Sequence, residues 1–325
     1  MHYAQVQAFG QPPQYLDGPD LPAPAEGQVR LKVLASAVHR LVQMRAAGKH
    51  FSATTAPLDP SSDGVGLDEA TGQVYYVGMF AAPMLAEYAN VDRAKLVPVP
   101  AGADPISVAA LANPVSSAWL ALTERVRDLP ASGFSVLILG VTGTSGRAAV
   151  AVARKFGAGT VVGAARNEKA LQALVADGSL DKYVVLGSGA GADADALGKA
   201  AAALGPLDVI LDYVYGAATA AVLNALQTRP DGPPTQYVNI GTVAQDENIA
   251  LNAQTLRAKN LTLAGSAPGS YSLASAGKQL PGIVAMAGSL PTPADVVPYA
   301  LSEVARVWDT DEARKKRLVL LPWGQ

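Results

Sequence analysis

A glycine-rich turn, residues 140–146 (GVTGTSG), lies between an apolar run and a helical segment. Glycines let the backbone approach a pyrophosphate, and the helix that follows presents N–H groups to that anion. Gly143 and Gly146 would supply the close approach and the helix–strand contact. The spacing is G-x-x-G-x-x-G rather than G-x-G-x-x-G, and a purely structural turn is the alternative. We predict a dinucleotide-phosphate site made by Thr142, Gly143, Thr144, Ser145 and Gly146.

A basic residue stands where the second strand of such a fold ends. Arg166 follows Gly146 by 20 residues. A site for NAD places Asp or Glu here to accept a hydrogen bond from the ribose 2′-hydroxyl, whereas Arg suits a 2′-phosphate. Asn167 and Lys169 are expected beside it, with Lys169 assisting, although Glu168 lies close by. The pattern favours NADPH over NADH, and a solvated surface arginine is the alternative.

Histidine and cysteine usage limits the other chemistries. The chain has no cysteine and three histidines, and no His-Glu pair or histidine cluster, so we expect no zinc site. His39 follows an early strand and is a candidate hydrogen-bond or proton donor to a substrate oxygen. A buried structural histidine is the alternative. No G-x-S-x-G elbow supports a serine hydrolase.

The order of elements explains how these residues would be positioned. Residues 27–36 alternate apolar and charged side chains, as a half-buried strand does. Apolar runs then alternate with helices, which predicts a doubly wound parallel sheet. Residues 187–195 are predicted to be a flexible surface loop, 294–309 a helix, and 317–321 a strand that returns to the first domain. The predicted parallel strands are 135–139, 160–164, 183–186, 208–211, 236–240 and 261–264.

Composition excludes several classes. Hydrophobic residues make up 50%, charged residues 16%, and the formal net charge is −2. A chain of this kind can bury a large core and offers no basic surface for nucleic acid. Residues 1–9 do not read as a secretory signal, and no run of 18 apolar residues predicts a membrane span. We therefore expect a cytoplasmic protein without nucleic-acid or membrane partners.

Several segments, in order along the chain, resemble the zinc-independent quinone oxidoreductase branch of the medium-chain dehydrogenase/reductase superfamily. This resemblance implies a GroES-like, partly open β-barrel domain (1–112 and 268–325) and a Rossmann domain (113–267) with NADPH. It further implies cofactor contacts by Asn113, Ser117, Ile240, Gly241, Thr242 and Arg317, and a homodimer joined by the edge strand 261–264. The resembling segments are 27–33 (GQVRLKV), 35–48 (ASAVHRLVQMRAAG), 63–66 (DGVG), 86–88 (AEY), 118–122 (AWLAL), 140–146, 208–212 (DVILD), 238–241 (VNIG) and 317–320 (RLVL).

Three departures leave the substrate open. His39-Arg40 replaces the usual Asn-Pro, the segment between Val77 and Leu85 is short, and Leu186 stands where a tyrosine often touches the 2′-phosphate. Tyr183 is the nearby candidate for that contact. The predicted activity is hydride transfer from NADPH to a quinone or an α,β-unsaturated carbonyl. An alkenal or enoyl-thioester reductase, and a non-catalytic NADPH-binding sensor or scaffold, are the alternatives.

Overall fold

Strand type changes twice along the chain, from antiparallel to parallel and back. The computed structural model describes residues 1–78, 80–187, 191–246 and 248–324. Its strands are β1 (His2–Gln5), β2 (Gln14–Asp17), β3 (Gln28–Val38), β4 (Gly64–Asp68), β5 (Gln73–Val77), β6 (Tyr88–Asp92), β7 (Leu96–Pro98), β8 (Ser135–Leu139), β9 (Thr160–Ala165), β10 (Lys182–Val185), β11 (Val209–Asp212), β12 (Thr235–Asn239), β13 (Leu261–Gly265), β14 (Val296–Ala300) and β15 (Arg317–Leu321).

Helices connect most of the parallel strands. They are α1 (Arg40–Ala46), α2 (Pro105–Leu120), α3 (Thr144–Lys155), α4 (Glu168–Ala176), α5 (Gly191–Ala203), α6 (Ala217–Ala225), α7 (Ala253–Ala258), α8 (Leu273–Ser289), α9 (Val304–Val307) and α10 (Asp311–Lys315). The segment Pro105–Arg125 is long and apolar enough to cross a membrane, but 61% of its apolar stretch is buried inside the protein. That burial is typical of a core helix.

The fold divides into two compact units. Met1–Asn113 with Leu280–Gln325 forms the antiparallel unit, and Pro114–Gln279 forms the parallel unit. Residues 268–279, which the sequence analysis assigned to the first domain, are tied into the parallel unit by side chains. Trp119 Nε1 donates to Gln279 Oε1 at 3.1 Å, and Ser275 Oγ donates to Glu124 Oε1 at 2.9 Å.

The antiparallel unit is organised around the long strand β3. Its inward-facing Val29, Leu31 and Val33 are buried and alternate with partly exposed residues, as the sequence pattern predicts. Residues 28–32 of β3 pair with β6, and 36–38 pair with β15, while β4 takes the other edge. The sheet order is β14-β15-β3-β4-β5-β7, so the C-terminal strand returns to the N-terminal region. This mixed sheet confirms the predicted GroES-like part of the fold class.

The parallel unit contains a six-stranded sheet in the order β10-β9-β8-β11-β12-β13. All its strand pairs are parallel. The central strands are buried on both faces, which explains why β8 and β11 read as continuous apolar runs. In chain order this is 3-2-1-4-5-6, the doubly wound arrangement that the alternation of strands and helices predicts.

Two predicted elements are wrong. Residues 294–309 do not form one helix, because Val296–Ala300 is a strand paired in parallel with β15 and only Val304–Val307 is α-helical. The β-branched Val296 and Val297, with Pro298, favour extended backbone over helix. The predicted loop 187–195 is helical from Gly191, since an alanine-rich stretch with Asp193 in the first turn suits a helix start. Residues 188–190 of that prediction lie outside the described residues.

Candidate functional site

The carboxyl ends of the parallel strands form the candidate site. The chain runs outward from β8 to β10, then returns to the other side of β8 and continues through β13. The strand order therefore reverses between β8 and β11. Open α/β sheets bind ligands at this reversal, outside the carboxyl ends of the strands.

The glycine turn lies directly at this reversal. Gly140 has φ +88, a conformation that suits glycine, and its N–H donates to Ala164 O of the neighbouring strand at 2.7 Å. A Cβ on Gly146 would stand 2.3 Å from Gly140 O and 2.5 Å from Val141 Cα. Only glycine therefore allows α3 to begin this close to β8. A Cβ on Gly143 would meet only Gly140 O, at 3.6 Å, so Gly143 leaves space above the turn.

Helix α3 begins at a glycine. Gly143 is the N-cap residue and has no side chain that could cap the helix, and the first turn carries no acidic residue. The N–H groups of a first helical turn have no acceptor within the helix and carry a partial positive charge. Thr142, Thr144 and Ser145 are half-buried around this end. The arrangement suits an anion such as a phosphate.

The predicted 2′-phosphate residues follow β9. Arg166 and Lys169 are exposed, and neither forms an ion pair with the part of the chain that the structure describes. Asn167 is the N-cap of α4, and its Oδ1 accepts from Ala170 N at 3.1 Å. Tyr183 OH donates to Glu168 Oε1 at 3.1 Å, so its hydroxyl is engaged by α4. Arg166 and Lys169 are therefore cations available to a ligand near the carboxyl end of β9.

A serine and a tyrosine meet on the other side of β8. Ser117 Oγ donates to Pro114 O at 2.6 Å and lies 2.9 Å from Tyr213 OH. Tyr213 directly follows β11, is 7% exposed, and has a pKa that burial raises above its usual range. The sequence analysis missed Tyr213. A bulky aromatic directly after a buried strand at the point of reversal is the signal that could have found it.

The loop after β12 is held against the end of β11. Ile240 N and Gly241 N donate to Asp212 O at 2.7 and 3.1 Å. A Cβ on Gly241 would stand 3.1 Å from Tyr213 O, so the loop and β11 approach closely. Thr242 is exposed. These residues lie with the glycine turn, Ser117 and Arg166 at the carboxyl ends of the parallel strands.

Asp212 organises this end of β11. Its Oδ1 accepts from Val214 N at 2.7 Å and Tyr215 N at 3.0 Å, and its Oδ2 accepts from Thr219 Oγ1 and Tyr237 OH, each at 2.7 Å. Burial raises the pKa of Asp212, and these hydrogen bonds oppose that effect. The backbone donors fix the turn that carries Tyr213. Asp212 is a second residue whose role the sequence analysis missed.

His39 lies in the antiparallel unit within a buried network. Its Nε2 lies 3.0 Å from Asp63 Oδ1 and 2.9 Å from Ser62 Oγ, while Ser62 Oγ donates to Asp63 Oδ1 at 2.6 Å. With the Ser62 hydroxyl hydrogen given to an ionised Asp63, the tautomer of His39 that carries its hydrogen on Nε2 completes this network. Tyr76 OH also donates to Asp63, at 2.9 Å. Burial raises the pKa of Asp63 to about 6, and the hydrogen bonds from Ser62 and Tyr76 oppose it.

Two predicted cofactor residues belong to this same unit. Asn113 is the last residue of its N-terminal segment, within α2. Arg317 begins β15, its N–H donates to Asp295 O at 2.7 Å, and burial lowers the pKa of its guanidinium to about 10. Arg317 is therefore cationic at neutral pH. Asn113, Arg317 and His39 therefore belong to the antiparallel unit, and the contacts predicted for them stay predictions.

The three histidines contact other side chains of the protein. Among the described residues, no group of three or more His, Cys, Asp or Glu side chains could hold a metal ion. His2 Nδ1 lies 3.0 Å from Glu87 Oε1, and His39 is engaged by Asp63. His50 Nδ1 lies 2.8 Å from Ser52 Oγ.

Comparison with known proteins places these features in context. No protein-family model matches the chain. The chain is 36% identical to tdiC of Emericella nidulans, named a probable NADPH-dependent quinone reductase, over 99% of this chain and 100% of that protein. In fold it is similar to the quinone oxidoreductase of Thermus thermophilus, solved alone and with NADPH (23% identity, 99% of this chain and 100% of that chain, TM-score 0.75). It is likewise similar to a mycobacterial protein solved with NADPH (18% identity, 99% and 100% covered, TM-score 0.76).

Proposed function

The chain belongs to the quinone oxidoreductases of the medium-chain dehydrogenase/reductase superfamily, and we propose that it is an enzyme that uses NADPH to reduce a quinone or an α,β-unsaturated carbonyl compound. The observation that carries this proposal lies at the carboxyl ends of the parallel strands, where a glycine turn, a helix start with a glycine N-cap and an exposed arginine follow one another. The full-length likeness to a quinone reductase supports the same activity.

The chain's residues fit the cofactor part by part. The first turn of α3, with Thr142, Gly143 and Ser145, would hold the pyrophosphate, because its N–H dipoles favour an anion. Arg166 would pair with the 2′-phosphate, and Lys169 would add a second positive charge. Ser117 and residues 240–242 would contact the nicotinamide half. Asn113 and Arg317 stay predicted contacts from the family resemblance.

The bound nicotinamide would supply the hydride, and the protein would position the acceptor. Holding donor and acceptor together is a large contribution to a hydride transfer, since it replaces a bimolecular encounter. His39 stays the predicted proton donor. Its neighbour Asp63, whose pKa burial raises to about 6, gives the network a group that exchanges a proton near neutral pH.

We propose that this chemistry needs no zinc. The chain has no cysteine, and a catalytic zinc needs three protein ligands. Two of its three histidines, His2 and His39, already contact a carboxylate. Charge that develops on a carbonyl oxygen would then be met by hydrogen bonds from the protein and solvent.

We also propose a cytoplasmic homodimer. Strand β13 is the edge of the parallel sheet, and on it Thr262 is exposed and Leu263 is 44% exposed. An unpaired edge with an exposed apolar side chain can pair with a second copy. Light scattering should give about twice the mass of the 33.2 kDa chain; a monomer would exclude this assembly.

The decisive experiment measures NADPH oxidation with a panel of quinones, enones and enoyl thioesters. Turnover with quinones or enones is expected. Turnover with enoyl thioesters alone would favour the alternative reductase, and saturable NADPH binding without any turnover would favour a sensor or scaffold. Absence of NADPH binding would contradict the proposal.

Substitution of Arg166 tests the choice of cofactor. Loss of a charge-assisted contact costs about 1.5–3 kcal/mol, so Arg166→Ala should weaken NADPH binding by about 10- to 100-fold and leave NADH binding unchanged. Lys155→Ala, which removes an exposed cation at the other end of α3, is the matched control. Equal losses for both nucleotides would exclude a 2′-phosphate contact.

A further inference from the structure

The hydrogen bond between Ser117 and Tyr213 has a fixed direction. A hydroxyl has one hydrogen and two acceptor lone pairs, whereas a carbonyl oxygen only accepts. Ser117 Oγ gives its hydrogen to Pro114 O at 2.6 Å. The 2.9 Å contact with Tyr213 must therefore use the tyrosine's hydrogen. Tyr213 keeps that hydrogen at any working pH, since burial raises the pKa of its hydroxyl.

These two bonds limit the hydrogen bonds that Ser117 can still make. Its hydrogen and one lone pair are used, so the remaining lone pair can only accept a hydrogen bond. Ser117 is only half-buried, so a ligand can reach it. Tyr213 is 7% exposed and held in place, because its N–H donates to Leu139 O at 3.1 Å and its carbonyl accepts from Val243 N at 3.1 Å. The pair therefore presents a fixed acceptor.

The position of the pair indicates which donor it would meet. Arg166 follows β9, on one side of the glycine turn, where the adenosine half of a dinucleotide lies. Tyr213 follows β11, on the opposite side of β8, and a Cβ on Gly140 would stand 3.3 Å from Tyr213 Cβ. A dinucleotide whose pyrophosphate lies at the turn would extend its other half past this pair. The carboxamide of nicotinamide carries an N–H₂ donor.

We propose that Tyr213 is a positioning residue that holds Ser117 as an acceptor for the carboxamide N–H₂ of the nicotinamide. This inference rests on the proposed use of NADPH. Without the tyrosine hydroxyl, only Pro114 O holds the Ser117 hydrogen, and that hydrogen can turn toward the ligand. The site then no longer distinguishes a donor from an acceptor at that point.

The test compares NADPH with its reduced 3-acetylpyridine analogue, in which a methyl group replaces the carboxamide nitrogen and no N–H remains. The wild-type protein should bind NADPH about tenfold more tightly than the analogue, the effect of one hydrogen bond near the upper end of the usual range. Ser117→Ala should abolish this preference, and Tyr213→Phe should reduce it to about threefold or less. The double variant should match Ser117→Ala alone, because both act on one contact.

Tyr237→Phe is the matched control. It removes another buried tyrosine hydroxyl, one that donates to Asp212 Oδ2 at 2.7 Å, from the neighbouring strand β12. Its preference should equal that of the wild type. A purely structural role for Tyr213 would weaken both nucleotides equally and keep the ratio, which would overturn the inference. Equal binding of both nucleotides by the wild type would overturn it while leaving the proposed function intact. If the wild type bound neither, the proposed function and this inference would both fail.

Discussion

Each compact unit buries one aspartate in a hydrogen-bonded network, and the two networks differ in kind. Asp212, in the parallel unit, accepts from two backbone N–H groups and two hydroxyls. Asp63, in the antiparallel unit, is engaged by two hydroxyls and the ring of His39. Backbone donors cannot change protonation, whereas a histidine can. The first network therefore fixes a turn, and the second can exchange protons.

The same difference shows in what surrounds each carboxylate. The donors to Asp212 lie within the turn after β11, in α6 and in β12, so the carboxylate ties three neighbouring elements together. The donors to Asp63 come from Ser62, from β5 and from the residue after β3. Burial raises the pKa of both aspartates. Removal of Asp212, which has four donors, should cost the larger amount of stability, and removal of Asp63 should change how stability depends on pH near neutrality.

The largest expected effect follows loss of the Asp212 carboxylate. Asp212→Ala would leave four donors without their acceptor, two of them buried hydroxyls. Because each unsatisfied buried group costs about 1–3 kcal/mol, we expect the free energy of unfolding to fall by about 4 kcal/mol. Urea denaturation at neutral pH measures this loss. Asp231→Ala, at an exposed position, should change it by less than about 0.5 kcal/mol. A loss similar to that control would show that water replaces the carboxylate.

The next effect concerns the pH dependence that Asp63 confers. Its pKa rises from 3.8 in the unfolded chain to about 6 in the folded protein. A raised folded pKa adds stability that is complete below pH 3.8 and is lost as the pH rises through about 6. A rise of this size corresponds to about 3 kcal/mol.

Asp63→Asn removes this titration. The free energy of unfolding of the wild type, relative to Asp63→Asn, should therefore fall by up to about 3 kcal/mol as the pH increases from about 4 to about 7. Urea titrations at several pH values measure the difference, and Asp17→Asn, an exposed aspartate, is the control. Parallel curves for the wild type and Asp63→Asn would show that the network keeps Asp63 ionised throughout this range.

The smallest effect compares the loss of one hydroxyl from each network. Thr219→Val and Ser62→Ala each remove one donor and should each cost about 1 kcal/mol. The cost of Thr219→Val should vary less between pH 5 and 8 (about the range in which His titrates) than that of Ser62→Ala, because Asp212 keeps two backbone donors and Tyr237. Ser62→Ala removes a bond that lowers the pKa of Asp63. The pH profile of the variant's free energy of unfolding should therefore lie at higher pH than that of the wild type. Identical profiles for the two variants would remove the distinction between the networks.

Local patterns were sufficient to predict most of the parallel unit. The apolar runs 135–139 and 208–211 and the glycine turn predicted buried strands and a helix start, because these features depend on neighbours in the sequence. The tail was harder, since residues 296–300 form a strand only when β15 lies beside them to accept the pairing. The loop prediction 187–195 extended into helix α5, which begins at Gly191, because glycine and alanine also occur in loops.

The candidate site likewise contains residues that local spacing predicts and residues whose partners are distant in the sequence. Gly146 and Arg166 were predicted from their distance to a strand end, and this spacing is local. Tyr213 and Asp212 were missed because their partners, Ser117 and Tyr237, lie 96 and 25 residues away. The hydrogen-bonded environment of His39 was also hidden, since Asp63, which contacts it, lies just before β4 and is itself engaged by Tyr76 of β5.

The order of residues alone was enough to predict a doubly wound parallel sheet, a glycine turn that begins a helix and a basic residue after the second strand, because glycine, charge and hydrophobic period act over a few residues. Which side chains share a proton or a hydrogen bond became visible only in the folded chain. Those contacts depend on strand order and register, which bring together residues that are far apart in the chain.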